Sequence, residues 1–471
     1  MFVKRFFEPS IAQASYLIGC AKTGEAIVID ANRDVDQYIA AADQEGLRIT
    51  QVTETHIHAD FVSGSRELAQ RMGASLCLSN EGDANWKYQF GHTRKLVDGD
   101  RIKVGNVCVD VMHTPGHTPE HLTFLITDGA VADRPMAAVT GDFLFVGDVG
   151  RPDLLERAAN IKGTMEVGAR TLWSSLQKFA TQEDWLQIWP GHGAGSSCGK
   201  GISAIPSSTL GYERRFNWAF QAKSEADFVA SVLEGQPEPP TYFATMKQVN
   251  KEGPAILNGF RVPEKLDAAQ LPELLARQAL VIDTRPAIDY AEGHLAGTIN
   301  IPLNSSFVTW AGWLVRSSEV YLIIDTVTAA ARLKELTRSL ALIGIDRITG
   351  YFNAAEVKGD RRIAQVTAKD LAPKLSSVSV IDVRAASEWD AGHLPGAIHI
   401  PLGQLADRVG ELPAGPPIVV QCQSGNRSSI GASVLERLGF ANVTNLSGGI
   451  TAWAAAGLPI EGSHEAQTSR T

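Results

Sequence analysis

Short apolar runs, each followed by a polar segment, recur along the first half of the chain. Runs rich in β-branched and aliphatic residues predict strands at 26–30, 49–55, 107–112 and 122–126. Amphipathic spacing predicts helices at 65–72 and 168–179. Strands interleaved with helices predict a layered α/β architecture. Polar motifs follow directly after several of these strands, so we expect the chemistry at the strand ends.

The second half of the chain contains an internal repeat. Residues 282–303 and 381–402 share a strand, Asp-x-Arg, a helix and Gly-His-Leu at the same spacing. Asp283 and Asp382 are 382 − 283 = 99 residues apart, which is a domain-sized period. Prolines and glycines at 235–256 predict a linker before the repeat. The predicted organisation is a first domain at 1–240, a linker at 241–264, and two repeats at 265–360 and 366–462.

Length and composition limit the class of protein. A chain of 471 residues predicts roughly two to four domains. Its 43 basic and 52 acidic residues give a net charge of −9, which disfavours nucleic acid as a partner. No run has the apolar length of a signal peptide or a membrane span, so we expect a cytoplasmic protein without a membrane partner. Five scattered cysteines are typical of a reduced compartment.

Metal-ligating side chains are concentrated in five motifs of the first half. These motifs lie at 55–61, 114–118, 140–142, 150–153 and 190–193. The motifs offer imidazoles and carboxylates, and two imidazoles with one carboxylate form the ligand set of non-haem iron(II) oxygenases. Zinc with an additional histidine would equally suit hydrolysis. A single histidine is more often a satisfied core residue, but five motifs at strand ends outweigh that interpretation.

The order of these motifs resembles that of the metallo-β-lactamase fold, which implies an αββα sandwich. Residues 140–153 resemble the persulfide dioxygenase branch of that fold, the sulfur dioxygenases related to glyoxalase II. The resemblance implies one Fe(II) per chain, bound by His56, His117 and Asp142. It also implies that Arg151 lies near the substrate, and we expect this residue to bind the substrate, with bracing of the loop as the alternative.

Three further polar residues and one aromatic residue bear on the number of metals. The resemblance implies that His58, Asp60 and His192 orient the ligands or remain from a second metal site. Phe61 stands where most such pockets have another histidine, and a phenyl ring has no lone pair to donate. The sequence therefore favours one metal ion over two.

A cysteine loop in the second repeat has the features of a nucleophilic site. Cys422 follows the apolar residues 418–420 and precedes a helical segment at 430–438. At such a turn, free helix N–H groups and a nearby arginine, here Arg427, stabilise a thiolate. The thiolate is the form that attacks sulfur. The substrate-binding part of the loop is predicted to be Ser424, Gly425 and Asn426.

Cysteine, four residues and arginine form a loop that resembles the active loop of rhodanese domains, and both repeats resemble that α/β domain. In the first repeat, Asp325 occupies the cysteine position and Ala330 the arginine position. A carboxylate cannot accept sulfane sulfur, so the first repeat is predicted to be inactive, with a scaffolding or docking role. The Asp-x-Arg and Gly-His pairs are expected to organise the fold. Cys198, six residues past His192, is more simply a loop cysteine without a role, although it could carry a persulfide.

Taken together, the domains resemble the persulfide dioxygenase–rhodanese fusions of bacterial sulfide detoxification. The resemblance implies oxidation of a low-molecular-weight thiol persulfide by O2 to sulfite and free thiol. Cys422 would then pass sulfane sulfur to sulfite, giving thiosulfate. Two alternatives remain: a glyoxalase II-type zinc thioesterase fused to a sulfurtransferase, and a sulfur carrier or sensor whose metal domain only binds persulfide. The sequence does not specify the carrier thiol, and it is compatible with a homo-oligomer.

Overall fold

The computed structural model describes residues 1–462 apart from 92, 155, 157–162, 237, 318 and 326–328. The chain forms two compact units. The first comprises Met1–Phe260 with Arg338–Gly344, and the second comprises Arg261–Thr337 with the described residues from 345 onward. Across these described residues, no helix combines the length and apolar character that a membrane crossing requires.

The first unit contains twelve described strands and seven helices. The strands are β1 (Phe2–Glu8), β2 (Gln13–Cys20), β3 (Glu25–Ile29), β4 (Arg48–Thr53), β5 (Ser75–Ser79), β6 (Arg94–Leu96), β7 (Arg101–Val104), β8 (Val107–His113), β9 (Leu122–Asp128), β10 (Ala137–Gly141), β11 (Gln187–Pro190) and β12 (Ser208–Thr209). The helices are α1 (Asp36–Gln44), α2 (Ser65–Met72), α3 (Thr164–Phe179), α4 (Leu210–Phe216), α5 (Trp218–Gln221), α6 (Glu225–Leu233) and α7 (Phe243–Glu252). Every strand and helix predicted for this unit coincides with one of these elements.

Two six-stranded sheets, ordered β1-β2-β3-β4-β5-β6 and β12-β11-β10-β9-β8-β7, form the centre of this unit. Alternate residues of β2 pack into one core with residues of the second sheet, for example Tyr16 and Ile18 with Phe124. The intervening residue Leu17 belongs to a separate core that α1 and α2 cover. A third core lies between the second sheet and α3. The period of two in the strands thus produces the predicted αββα sandwich of a metallo-β-lactamase fold.

Strand direction explains why distant motifs meet. Because β9 is antiparallel to both β8 and β10, and β10 is parallel to β11, the strands β8, β10 and β11 all run the same way. Their carboxyl ends lie at one edge of the sheet. His117, Asp142 and His192 each follow one of these ends. His56 comes three residues after β4 in the other sheet.

The segment predicted to be a linker contains a helix that packs into the first unit. Residues 241–264 include α7, whose Phe243, Met246 and Asn250 are buried. Asn250 Nδ2 donates to the carbonyls of His58 and Phe61, at 2.8 and 2.7 Å. The prolines and glycines of the predicted linker thus flank a helix that holds the loop of His58 and Phe61 in place, while the predicted domain bounds stay a prediction.

Replacing Asn250 with alanine should destabilise the first unit by about 2–4 kcal/mol, because buried carbonyls and the Ser63 N–H, 2.9 Å from Asn250 Oδ1, lose their partner. Denaturant unfolding of the full chain measures this change. The matched control is Gln248→Ala, an exposed residue of the same helix, which should alter stability by less than about 0.5 kcal/mol. Equal stability of the two variants would show that α7 does not support this loop.

The second unit contains the two repeats, each built on a parallel sheet. Its strands are β13 (Leu280–Asp283), β14 (Ile299–Asn300), β15 (Glu319–Ile324), β16 (Arg347–Asn353), β17 (Ala364–Val366), β18 (Ser379–Asp382), β19 (Ile398–His399), β20 (Ile418–Gln421) and β21 (Val443–Leu446). The helices are α8 (Leu271–Ala276), α9 (Ala287–Glu292), α10 (Phe307–Leu314), α11 (Ala329–Leu342), α12 (Ala368–Leu371), α13 (Ala386–Asp390), α14 (Asn426–Arg437) and α15 (Gly449–Ala455). The sheet orders are β14-β13-β15-β16 and β17-β21-β20-β18-β19. Starting from β14 in the first sheet and from β19 in the second, the equivalent strands of the two repeats follow in the same order. A duplicated fold requires this agreement.

The Asp-x-Arg pair makes the same contacts in both repeats. Arg285 Nη2 lies 2.6 Å from Asp283 Oδ2, and Arg384 Nη2 lies 2.7 Å from Asp382 Oδ2. Each guanidinium also donates to the carbonyl of the glycine before the Gly-His histidine. The pair therefore ties the end of a central strand to the following helix and turn. This agrees with the prediction that these residues organise the fold.

Candidate metal centre and cysteine loop

Three buried side chains from separate strand ends converge in the first unit. His56 Nε2 lies 3.9 Å from Asp142 Oδ2, and His117 Nε2 lies 3.5 Å from the same oxygen. One ligand atom from each residue falls within 4.8 Å of the others. The structure thus brings together the three residues that the sequence predicted as metal ligands.

Hydrogen bonds set the ring orientation of both histidines. Thr55 Oγ1 donates to Asp30 Oδ2 at 2.9 Å, so it accepts the proton of His56 Nδ1 at 3.0 Å. His117 Nδ1 donates to the carbonyl of Arg151 at 2.9 Å, because a carbonyl can only accept. Each ring therefore directs an unprotonated Nε2 toward the shared carboxylate, which is the arrangement that a metal ligand needs.

The electrostatics of the cluster also fit a cation. Burial lowers the pKa of His56 well below its usual value and lowers the pKa of His117, so both rings are neutral. Burial alone would raise the pKa of Asp142, but the positive charge of His192 outweighs it and holds the pKa well below its usual value. Among the described residues, no group donates a hydrogen bond of good geometry to either carboxylate oxygen of Asp142, although both oxygens are buried. A buried, ionised carboxylate of this kind is satisfied by a metal ion.

Gly141 and His121 position the carboxylate. Gly141 has a φ of +50°, and a Cβ there would lie 2.5 Å from Thr55 Oγ1, so only glycine fits. The next N–H, that of Asp142, donates to His121 Nε2 at 3.1 Å. Sequence reasoning missed His121, although its place four residues after His117 in the same motif is a usable signal.

Asp60, His192 and Cys198 form a second group beside the first. His192 Nε2 lies 3.2 Å from Asp60 Oδ2 and 3.4 Å from Asp142 Oδ2, and its Nδ1 donates to a main-chain carbonyl. Cys198 is buried next to them, and burial together with Asp142 and Asp60 raises the pKa of its thiol to about 12. These three residues could hold a second ion. The prediction of one metal, which Phe61 motivates, therefore stays a prediction.

Two further predicted residues, His58 and Phe61, lie close to the cluster of His56, His117 and Asp142. Phe61 is fully buried, and its ring centroid lies 4.4 Å from that of His58. His58 Nε2 lies 3.2 Å from Asp30 Oδ1. Burial alone would lower the pKa of His58, but the Asp30 carboxylate outweighs it and raises the pKa to about 9. His58 therefore carries a positive charge beside Asp30, whose carboxylate also accepts from Thr55, and its predicted supporting role stays a prediction.

The contacts of Arg151 favour a bracing role, and its predicted role in substrate binding stays a prediction. Its side chain is fully buried, and Nε and Nη2 each lie 2.7 Å from an oxygen of Asp153. Nη1 donates to the carbonyl of Ser197 at 3.2 Å. The arginine therefore braces two loops, and its own carbonyl orients His117.

Replacing Arg151 with alanine should lower both stability and metal content. Removing one partner of a buried ion pair costs about 3–5 kcal/mol, and the carbonyl that orients His117 loses its support. Denaturant unfolding and metal analysis measure the two effects. The control is Arg134→Ala, an exposed partner of Glu183, which should change stability by less than about 1 kcal/mol. A stable, fully metallated Arg151→Ala protein with a raised KM for persulfide would instead support the substrate-binding role of Arg151.

The cysteine loop of the second repeat lies between β20 and α14, as predicted. Cys422 is almost fully buried, and its Sγ accepts hydrogen bonds from the Gly425 N–H at 3.1 Å and from Ser428 Oγ at 3.4 Å. Gly425 has a φ of +97° and caps the helix, so its N–H can turn toward the sulfur. Sequence reasoning did not single out Ser428.

Arg427 is held by a residue that sequence reasoning missed. Its Nη1 and Nη2 lie 2.7 Å from the two carboxylate oxygens of Glu388, which belongs to α13. The pair is bidentate, so much of the guanidinium charge is neutralised within the repeat. The hydrogen bonds that reach the sulfur come from the Gly425 N–H and Ser428, and the thiolate-stabilising role predicted for Arg427 stays a prediction. Thirty-eight residues separate Glu388 from Arg427, and no local motif indicates the pairing.

In the first repeat, Asp325 directly follows β15 and is exposed. This is the position that Cys422 occupies after β20. Ala330 belongs to α11, but its side chain lies outside the described residues, as do residues 326–328.

A buried cluster of two histidines and one aspartate at the strand ends of an αββα sandwich defines a metal-binding class of proteins. Residues 11–192 match the model of the metallo-β-lactamase superfamily, and residues 367–456 match that of the rhodanese-like domain. The chain belongs to the metallo-β-lactamase superfamily and carries a C-terminal rhodanese-like domain.

Three similar proteins illustrate the range of the superfamily. A metallo-β-lactamase structure from Staphylococcus aureus is 43% identical with a TM-score of 0.67, and the match covers 75% of this chain and 99% of that one. The hydroxyacylglutathione hydrolase of Rhodopseudomonas palustris is 32% identical over 50% of this chain and 80% of its own. The mitochondrial persulfide dioxygenase ETHE1 of Bos taurus is 29% identical over 41% of this chain and 68% of its own. The matches to the hydrolase and to the persulfide dioxygenase each cover half of this chain or less.

Proposed function

We propose that this chain is a persulfide dioxygenase that also transfers sulfane sulfur. One observation supports the proposal above others: a two-histidine, one-carboxylate cluster and a cysteine loop of rhodanese type occur on the same chain. The mitochondrial persulfide dioxygenase among its relatives supports the first activity. The rhodanese-like domain supports the second.

The first reaction consumes a persulfide, O2 and water. In balanced form, R–S–SH + O2 + H2O gives R–SH, sulfite and two protons. Iron(II) held by His56, His117 and Asp142 would supply the site for O2 reduction, with coordination positions left for the substrate. The protein supplies neutral imidazoles, an ionised carboxylate and the hydrogen bonds that fix both rings. Burial of the cluster keeps bulk water away from it.

The second reaction uses the thiolate of Cys422. The thiolate attacks the outer sulfur of R–S–SH, the sulfur–sulfur bond of the donor breaks, and R–S⁻ leaves as Cys422 becomes a persulfide. Sulfite then attacks the outer sulfur of that persulfide. Thiosulfate leaves and the Cys422 thiolate is restored. Gly425 and Ser428 donate to sulfur, which stabilises the anionic form of the cysteine.

A zinc thioesterase is the second candidate for the first unit. Two observations favour it: hydroxyacylglutathione hydrolases are among the relatives, and Asp60, His192 and Cys198 could complete a second metal position. Dinuclear sites of this kind suit hydrolysis because they activate water.

Metal exchange distinguishes the two candidates. Apoprotein is loaded anaerobically with iron(II) or with zinc, and each form is given glutathione persulfide or S-lactoylglutathione. We expect O2 uptake from the iron form with the persulfide, and little thioester hydrolysis from either form. Rapid thioester hydrolysis by the zinc form, with no O2 uptake by the iron form, would establish the thioesterase instead.

A further inference from the structure

A cavity of about 640 Å³ lies in the second unit beside the cysteine loop. Ser424, Asn426 and Arg427 of that loop line one side. Most of the remaining lining comes from the first repeat and includes Asn304, Trp310 and Arg332. The repeat that lacks a cysteine therefore contributes a large part of the surroundings of the repeat that has one.

Hydrogen bonds within the unit fix the two repeats in this arrangement. His294 Nε2 of the first repeat lies 2.7 Å from Glu436 Oε2 of the second. Arg316 pairs through both terminal nitrogens with the carboxylate of Asp407. The Asn300 N–H donates to Ser433 Oγ at 3.0 Å. These contacts come from three separate elements of the first repeat, so the cavity is present before a ligand binds.

The volume of the cavity indicates the size of its ligand. Cavities of about 300–1,000 Å³ hold organic molecules of cofactor or drug size. Sulfite and thiosulfate would fill only a small part of this one. A donor that carries its sulfane sulfur on an organic thiol would fill much more of it.

Charge and shape indicate the chemistry of that thiol. Glu388 neutralises Arg427, but Arg332 is exposed and, within the part of the chain that the structure describes, no carboxylate pairs with it. A guanidinium of this kind binds a carboxylate or phosphate. Trp310 is half-buried and offers an aromatic surface to the carbon skeleton of a ligand. Asn304 and Asn426 add amide donors and acceptors.

We infer that the first repeat recognises the organic carrier of the persulfide that reacts with Cys422. The carrier is an anionic thiol about the size of a tripeptide, whose carboxylate binds Arg332 and whose carbon skeleton packs on Trp310. The inference rests on the sulfur-transfer function proposed for Cys422. It gives the first repeat a role in substrate specificity, in place of scaffolding alone.

Anaerobic sulfur transfer by the full chain tests this inference. Without O2 the first unit cannot oxidise the donor, so transfer through Cys422 to cyanide is measured alone as thiocyanate. Glutathione persulfide and thiosulfate serve as donors. For Arg332→Ala and Trp310→Ala, the KM for glutathione persulfide should rise about tenfold, and the KM for thiosulfate should rise less. Arg332→Lys should recover part of the loss, because it keeps the charge but not the bidentate geometry.

The matched control is Arg347→Ala, an exposed arginine of the first repeat that pairs with Glu319 outside the cavity lining. It should change neither KM. Equal changes for both donors, or no change in Arg332→Ala and Trp310→Ala, would overturn the inference while leaving transfer through Cys422 intact. Undiminished transfer in Cys422→Ser would instead overturn the proposed function on which the inference rests.

Discussion

Replacement of His56, His117 or Asp142 by alanine should abolish both bound iron and O2 uptake. Each of the three residues supplies one ligand atom, and a site with two ligands left binds a divalent ion far more weakly. Asp142 should have the largest effect, because it supplies the negative charge that both neutral imidazoles face. Anaerobic metal analysis and an oxygen electrode measure the two losses.

His113→Ala is the matched control for these variants. His113 is a partly buried histidine at the end of β8, and its Nε2 lies 2.8 Å from the carbonyl of Pro119. It lies four residues before His117 and takes no part in the cluster. This variant should keep its iron and its O2 uptake. A His117→Ala protein that retained a full complement of iron would show that the ion binds elsewhere.

Replacement of Cys422 by serine should change the product from thiosulfate to sulfite. An alcohol is a much weaker nucleophile than a thiolate and cannot form a persulfide, so thiosulfate formation should fall by at least about 10³-fold. O2 uptake should persist, because no ligand of the metal cluster belongs to the second unit. Ion chromatography of sulfite and thiosulfate after addition of persulfide measures the change.

Two controls accompany Cys422→Ser. Cys108→Ser replaces a partly buried thiol of β8, outside both sites, and should leave the products unchanged. Asp325→Ala alters the corresponding position of the first repeat, which has no thiol, and should also leave both chemistries nearly unchanged. Thiosulfate formation at the wild-type rate by Cys422→Ser would indicate another thiol. Cys198, beside the metal cluster, would then be examined first.

Local patterns predicted the strands and the helices because each depends on a short stretch of sequence, whereas the three candidate metal ligands came from the family resemblance. The apolar run of β8 and the turn residues after it place His117 without reference to distant residues. The cysteine loop is equally local, since its strand, its glycine and its helix are contiguous. The αββα sandwich was predicted from the order of the motifs, which resembles that of the metallo-β-lactamase fold.

The features that sequence reasoning missed depend on contacts between distant residues. Arg151 forms an ion pair with nearby Asp153, but it also donates to the carbonyl of Ser197, which lies 46 residues away in sequence. Glu388 reaches Arg427 from another helix. The helix in the predicted linker is flanked by prolines and glycines, and its role depends on Asn250 reaching the carbonyl of His58.

The central claim is that the first unit oxidises persulfide sulfur with O2 at a single iron. The most direct measurement combines an oxygen electrode, sulfur-product analysis and metal content for the iron-loaded full chain. We predict one iron per chain and one O2 consumed for each persulfide oxidised, with the sulfur recovered as sulfite and thiosulfate. Two metal ions per chain, or persulfide turnover without O2 consumption, would contradict the account.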